Sequence, residues 1–600
     1  MLQGTRMSHD GLVPYKWMLI VLVALMPLWM TGLYGRGYWT PDEPREADIA
    51  WRMSVQPDKT LPRLADELFL EKPPLSYWLS AAAMHVFGDT PAAARTPNLI
   101  YAVVTSVSLW ILVYSMSGAL AATLATLIAG SMCMVYQVAI WLAPDASLLA
   151  GCALSLLGLY RGYVAHSGRD KLLWYTLMHV GAMMAFMAKS AIGWVFPALT
   201  LFVMLLWERR WLELMRWQLW IGLVLQIVGI GLWLIQVLSL PEGPHAIAVL
   251  FWNNLAGRFT DIGASGALDY ASGHPNWLGK YWLELPYYLF PWTILVGAAL
   301  VRSWTAVRVK DADATPWRFA LASSLPFLLL LSAATTARGI YAAPALLGLS
   351  VLVGIWLPHG LAQTNKVDAW ALCLTRYAVV LWVLLIGGVV GLLAVTHYRD
   401  SSSYSSLGSS LVSSLGYVLV LGVLLISTIV MVRCSIHAQQ RHSAMSVGWC
   451  YAIYLLTVTA AGLTVFPVFD QVQDLGSIAE SVRRDAAARP LALLKPDETT
   501  IAMMDYRSGA SITVLNDDDQ DALRLAQQWF IAHPTEGLLL VRLPGSQPGV
   551  LAPLVKRFQS PRQPSDGVLA ELERAHIGQL YKRYELPLGR RYALIESVPH

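Results

Sequence analysis

Charge is scarce in this sequence. Asp, Glu, Lys and Arg together make up 14% of its 600 residues, where soluble globular proteins carry about 25%. The deficit is concentrated in long apolar runs, which raise the mean hydropathy to +0.50 and exclude an ordinary soluble enzyme. A formal net charge of +4 is too small and too dispersed to indicate a nucleic-acid partner. Cysteine is sparse as well. Cys133, Cys152, Cys373, Cys434 and Cys450 lie in or beside apolar runs, with no CxxC or zinc-ligand spacing. Buried free thiols are therefore expected, rather than a disulfide framework. The run from Trp17 to Tyr34 lacks a small-x-small cleavage site. Its length predicts a retained first transmembrane helix rather than a cleaved signal peptide.

What the chain does have is a succession of span-length apolar runs, about thirteen in all. They fall near 17–35, 93–116, 119–141, 145–165, 172–189, 192–207, 218–240, 283–301, 317–334, 340–357, 371–396, 415–433 and 446–467. Basic residues test this division, because cytoplasmic loops are enriched in Lys and Arg. The alternate loops "RGYVAHSGRDK", "ERRWLELMRWQ", "RSWTAVRVKDADATPWR" and "RCSIHAQQRHS" are all basic, whereas "THYRDSSSYSS" is Ser-rich. A cytoplasmic N-terminus and an outer C-terminus are consistent with this pattern. The expected architecture is a polytopic α-helical membrane domain over 1–469, whose outer loop 36–92 carries juxtamembrane helices. A small soluble α/β domain follows over 470–600. There "TIAMMDY", "GLLLVRL" and "RYALIESV" read as strands, and a helical stretch begins in "NDDDQDALRLAQQWF". Asp517 to Asp519 supply capping and dipole-favoured acids for that helix.

Six charges, Asp42, Glu43, Arg45, Glu46, Asp48 and Arg52, crowd "YWTPDEPREADIAWRM" directly after the first apolar run. Thr40-Pro41-Asp42-Glu43 is a helix-start signal. Thr40 can N-cap, Pro41 suits the first helical position, and Glu43 stands where a capping-box acid belongs. Asp42, Arg45, Glu46 and Ile49 then share a helical face, as on an ordinary surface helix or on one lying beside a cavity. In "LFLEKPPLSYWL" the prolines extend the chain at Glu71 and Lys72. Leu75 to Phe87 reads as an interfacial helix. Lys72 either snorkels toward headgroups or offers a fixed ammonium to an anionic one, and periodicity leaves both open. Asp145, Lys189, Arg258 and Arg338 add charges at outer span ends. Ionisable groups at such depth are costly and point to function.

These segments carry a resemblance. "PDEPREADIAWRM", "EKPPLSYW", "PDASLL", "AKSAIGW", "NNLAGRF" and "RGIYAAP" resemble, in order, the motifs of polyprenyl-phosphate-sugar glycosyltransferases of the GT-C fold. The nearest branch is the lipid A aminoarabinose transferases, with protein O-mannosyltransferases more distant. The likeness covers roughly Tyr38 to Leu357. It implies that Asp42 and Asp145 are the catalytic acids, Asp42 as general base or as an orienting group for the acceptor. It also implies that Lys72, Arg258, Tyr341 and Arg338 bind the donor phosphate, while Arg45, Glu46, Glu71 and Lys189 line the substrate cavity. Fixed cations stabilise the charge that grows on a departing lipid phosphate without a nucleotide or catalytic metal. A carboxylate opposite them accepts the acceptor's proton.

No cofactor is required by this chemistry. Some relatives hold a structural divalent metal near the Glu of the EKP motif, which here would join Glu71 to His274. The implied partners are a polyprenyl-phosphate sugar donor, a lipid or glycan acceptor and membrane lipids, with the active site and C-terminal domain facing the periplasm from a bacterial inner membrane. Where the aminoarabinose branch has "PDETRYAE", this chain has "PDEPREAD", so Glu46 replaces a tyrosine. Arg338 stands where that branch has a Lys-Leu-Pro-type motif. Both departures lie by the expected sugar pocket and leave the sugar and the acceptor open, between lipid A, another glycan and protein. A transporter or flippase of anionic lipid-linked sugars is the rival reading. It predicts internal repeats and charges near the midplane, and the sequence shows neither. An inactive scaffold is a third reading, against which the retained Asp42, Lys72 and Arg258 argue.

Overall fold

The computed structural model describes residues 15–253, 276–308, 314–334, 338–362, 366–400, 407–487, 489–508, 512–516, 521–543, 567–586 and 590–597. The chain forms two compact units. One comprises the described residues up to Leu33, Leu70–Ser76 and Pro97–Gly462; the other comprises Tyr34–Phe69, Tyr77–Thr96 and the chain from Leu463 onward.

The first unit is helical, as a bilayer demands, since only intra-segment hydrogen bonds satisfy a single backbone in hydrocarbon. Among the described residues, nine helices are long and apolar enough to span a membrane. The number is ten if Lys280–Tyr288 and Thr293–Ala306, bent by 117°, form one span. The thirteen expected runs fall on helices, and the difference has identifiable sources. Pro91–Ser131 holds two runs joined at Gly118, whose φ of 82° breaks the helix. Gly168–Lys189, charged at both ends, is not among the nine, and Ile192–Glu208 is a shorter apolar helix. Burial grades the bundle. The most apolar window of Gly339–Leu361 is 89% buried and that of Asp145–Val164 is 83% buried, whereas Lys366–Val395 and Leu415–Gln440 are 22% and 11% buried. The first two form the packed centre, and the last two expose Leu381, Leu385, Ile426 and Ile429 as lipid-facing surface. All five cysteines are free thiols.

One helix pair positions function. Asp145–Val164 and Gly168–Lys189 run antiparallel and meet through small residues. A Cβ on Gly151 would lie 2.6 Å from Ala185 N and 2.7 Å from Gly181 O, and one on Gly181 would lie 2.5 Å from Ser155 N. Backbones can approach this closely only because the side chains are absent. The resulting register brings Asp145, at the start of one helix, to Lys189, at the end of the other.

The second unit gathers the charged loop with the C-terminal region. Helix Asp42–Val55 packs on helix Glu498–Ser508. The two-residue strands Arg63–Leu64 and Glu67–Leu68 pair antiparallel, and Leu75–Phe87 is helical as expected. A five-stranded sheet runs in the order Ile512–Leu515, Leu491–Leu494, Leu538–Arg542, Arg591–Glu596, Gln579–Glu585. Its first three strands are parallel and the last two antiparallel. Helix Glu498–Ser508 and helix Ala522–Ala532 are the crossovers that parallel pairing requires. Leu494, Leu525, Trp529, Leu539, Val541 and Ile595 form part of its core.

Several sequence expectations are corrected here. "TIAMMDY" is part of the helix Glu498–Ser508 rather than a strand, because Asp497 starts a helix by accepting a bond from Thr500 N at 3.0 Å. Thr40 does not cap its helix. Pro41 occupies the cap position without a side-chain bond, and the Thr40 hydroxyl bonds Gln473 instead. Helix Asp42–Val55 is no ordinary surface helix, since ten of its 14 residues are buried. The chain at 70–72 turns rather than running extended. Asp517 to Asp519 lie outside the described residues; Asp521 occupies the cap position of Ala522–Ala532.

Candidate functional site

The six charges of the segment from Asp42 to Arg52 separate into three groups, all within the second unit. Glu43 belongs to the scaffold. It is fully buried, and its carboxylate accepts Arg36 at 2.5 and 2.9 Å, Arg95 at 2.9 and 3.0 Å, and Trp39 N–H at 2.8 Å. Burial opposes its ionisation, but Arg95 and Arg36 outweigh burial and hold its pKa at about 2. The bond back to Trp39 N–H is the capping-box reach expected of it, moved one residue upstream.

The second group is also structural. Arg52 donates to Asp505 at 2.7 Å and to Asp66 at 3.1 Å, and its Nε lies 3.8 Å from Asp48. Asp48 accepts Ala65 N–H at 2.9 Å. Burial and the neighbouring Asp505 carboxylate push the Asp48 carboxyl above the usual range, against the pull of Ala65 N–H and Arg52.

The third group is the one with accessible chemistry. Arg45 lies between three carboxylates: Asp42 at 3.3 Å, Glu46 at 3.1 Å and Glu498. Arg45 and Glu46 are almost wholly buried, while the Asp42 side chain retains 21% exposure. A planar guanidinium fixes carboxylate orientation better than an ammonium would. Asp42 is thereby an oriented carboxylate at an accessible edge.

In the first unit, Lys189 donates to Asp145 at 2.5 Å, and both side chains are about nine-tenths buried. The Lys189 ammonium also stands 3.9 Å from the ring centroid of Tyr341, a cation–π contact. Tyr341 lies in the 3₁₀ turn Gly339–Ala342, which begins after Arg338, whose carbonyl accepts the Tyr281 hydroxyl at 2.9 Å. Lys72 and Glu71 are 3.9 Å apart, with 11% and 30% side-chain exposure. Asp145, Lys189 and Tyr341 are thus brought together, as are Asp42, Arg45 and Glu46 in the other unit. Arg258 and His274 lie outside the described residues. Among the described residues, no group of three or more His, Cys, Asp or Glu side chains could hold a metal ion.

Sequence reasoning missed Arg36, Arg95, Glu498 and Asp505. Arg36 and Arg95 gave no local signal, since their partner is set by folding. Glu498 did carry one: Pro496-Asp497-Glu498 repeats the Pro41-Asp42-Glu43 tripeptide, and both start helices.

Comparison with known proteins places these features. Residues 71–234 match the dolichyl-phosphate-mannose-protein mannosyltransferase family. Over 348 residues the chain is 30% identical to undecaprenyl phosphate-alpha-4-amino-4-deoxy-L-arabinose arabinosyl transferase 2 of Pseudomonas fluorescens, covering 56% of each chain. It is 24% identical to the corresponding transferase of Serratia proteamaculans, over 67% of this chain and 71% of that one. The chain therefore spans little more than half the length of the first of these relatives. ArnT from Cupriavidus metallidurans, solved bound to undecaprenyl phosphate, superposes with a TM-score of 0.69 at 16% identity, over 97% of this chain and 98% of that one. Its apo structure superposes with a TM-score of 0.66. Multi-pass helical architecture, C-terminal strand-containing region and sequence match converge: this chain has the GT-C fold of ArnT and is similar in sequence to the polyprenyl-phosphate-sugar glycosyltransferases.

Proposed function

We propose that this chain is an integral-membrane inverting glycosyltransferase. It moves a sugar from an undecaprenyl-phosphate-linked donor to an envelope acceptor such as lipid A, at the periplasmic face of a bacterial inner membrane. The observation that carries this reading is the sequence match to the arabinosyl transferases of P. fluorescens and S. proteamaculans. The basic alternate loops support the orientation, since they favour the cytoplasmic side.

In this reading the acceptor oxygen attacks the anomeric carbon, and the carbon–oxygen bond to the lipid phosphate breaks. Its electron pair stays on the phosphate. Lys72, Arg258, Arg338 and the Tyr341 hydroxyl stabilise that charge electrostatically. Asp42, oriented by Arg45, accepts the proton when the acceptor is a hydroxyl. When the acceptor is a phosphate it is already nucleophilic, and Asp42 orients more than deprotonates. Asp145 keeps the Lys189 ammonium fixed over Tyr341.

The test is mass spectrometry of lipid A and other envelope glycans from cells with and without the protein. Loss of one sugar-mass increment on deletion supports the reading, and unchanged glycans in every fraction defeat it. A second reading, protein O-glycosylation, is favoured by the mannosyltransferase-family match over 71–234. It predicts the missing mass on envelope proteins instead.

A further inference from the structure

The C-terminal region has no role in the chemistry described so far, yet it supplies one of the three carboxylates around Arg45. Glu498 opens helix Glu498–Ser508 and pairs with Arg45. Its neighbour Thr499 donates its hydroxyl to Pro41 O at 2.9 Å, one residue before Asp42. Two adjacent residues of one helical turn therefore grip the Asp42 segment twice, once through its carbonyl and once through its guanidinium.

That turn is itself held firmly. Asp497 accepts Thr500 N–H at 3.0 Å, and it also accepts Arg542 and Arg590, each at 2.6 Å. Arg542 ends a central strand of the sheet, and Arg590 immediately precedes its neighbour Arg591–Glu596. The chain of contact runs from the sheet through Asp497 to Glu498, then to Arg45, and from Arg45 to Asp42. A side chain as long as arginine loses much rotamer freedom when fixed. Glu498 confers that fixation from the side opposite Asp42.

We propose that the C-terminal domain is a positioning element for the transfer reaction, with Glu498 and Thr499 setting the orientation of the Asp42 carboxylate through Arg45 and Pro41. The proposal rests on the transferase reading. Glu498 is a positioning residue: it acts on Asp42 through Arg45.

The test uses the purified full chain in lipid nanodiscs, with undecaprenyl-phosphate-linked 4-amino-4-deoxy-L-arabinose as donor and lipid A as acceptor. Wild type, Asp42→Asn, Glu498→Gln, Glu498→Asp and Thr499→Val are compared for kcat, donor KM, pH profile and Tm. Glu498→Gln is expected to lower kcat on the order of tenfold or more, since small displacements of reacting groups are costly. Donor KM should stay within about twofold, with Tm unchanged. Its acid limb should move to lower pH, because losing a nearby negative charge favours ionised Asp42. Glu498→Asp should restore part of the rate, and Thr499→Val should lower kcat in the same sense. A purely structural contact would move Tm and leave the acid limb in place, and that result overturns the proposal. Wild-type turnover that is lost in Asp42→Asn but intact in Glu498→Gln defeats the positioning role alone. A wild-type chain that turns over no donor, together with envelope glycans and proteins unchanged in mass on deletion, defeats the transferase reading and the positioning role with it.

Discussion

Glu43 and Asp42 are neighbours in sequence with opposite fates, and burial decides between them. Glu43 is enclosed by two guanidinium groups and one N–H, so its charge is permanent and structural. Its carboxyl lies at about 2, below its ordinary 4.5, which corresponds to about 3 kcal/mol of stability. The sign follows from the depressed value: this stability is fully present above the ordinary carboxyl pKa and is lost as pH falls toward about 2. The Tm of the full chain should therefore fall as pH is lowered between these limits. Glu43→Gln should be destabilised by several kcal/mol at neutral pH, because two buried arginines lose their counter-charge (about 3–5 kcal/mol for breaking a buried pair). An unchanged Tm for Glu43→Gln would contradict this assignment. Asp42 retains an exposed edge, and its substitution should leave Tm nearly unchanged while stopping turnover. The sequence carried the helix-start signal that places both residues. It did not carry the arginines that separate their roles, because Arg95 meets Glu43 across 52 positions.

At the scale of elements, the Asp145–Lys189 pair depends on how closely two helices pack. Gly181→Leu would force side-chain volume against Ser155 N and Gly151 O. Overpacking of this kind typically costs about 1–3 kcal/mol, and the displaced register should abolish transfer as well. Lys189→Met leaves Asp145 charged and buried without its ammonium, and a large loss of Tm is expected. The double variant Lys189→Met/Asp145→Leu should recover stability without recovering activity, a separation that melting and turnover assays read independently. A fully active double variant would show that the pair is only structural. Helix periodicity and basic loops made the spans readable, since both follow from local composition. The Gly118 break falls between the expected runs 93–116 and 119–141, whereas the 117° bend between Lys280–Tyr288 and Thr293–Ala306 was hidden inside the run 283–301. The tail was harder still. "GLLLVRL" and "RYALIESV" read correctly as strands because their apolar residues are continuous. "TIAMMDY" has the same apolar content, and its helical fate was written in the preceding Pro496-Asp497-Glu498, the same signal that was read correctly at Pro41.

At the scale of the whole molecule, a membrane bundle bearing Lys72, Asp145, Lys189 and Tyr341 is joined in one chain to a charged unit bearing Asp42 and Arg45. This division suits a reaction whose donor is a membrane lipid and whose acceptor is polar. Undecaprenyl phosphate added to the purified chain should raise its Tm, by about 2.7 kcal/mol of stabilisation at a hundredfold excess over Kd. Lys72→Ala should reduce that gain; an undiminished gain would remove Lys72 from phosphate binding. The central claim is transfer from a polyprenyl phosphate assisted by Asp42. Its most direct test is a single-turnover assay with purified wild-type and Asp42→Asn chains, following undecaprenyl phosphate release and acceptor mass together. The account predicts equal amounts of released lipid phosphate and sugar-bearing acceptor for wild type. For Asp42→Asn it predicts a rate lower by roughly a hundredfold or more with unchanged Tm. Release and mass gain at the wild-type rate in Asp42→Asn would contradict it.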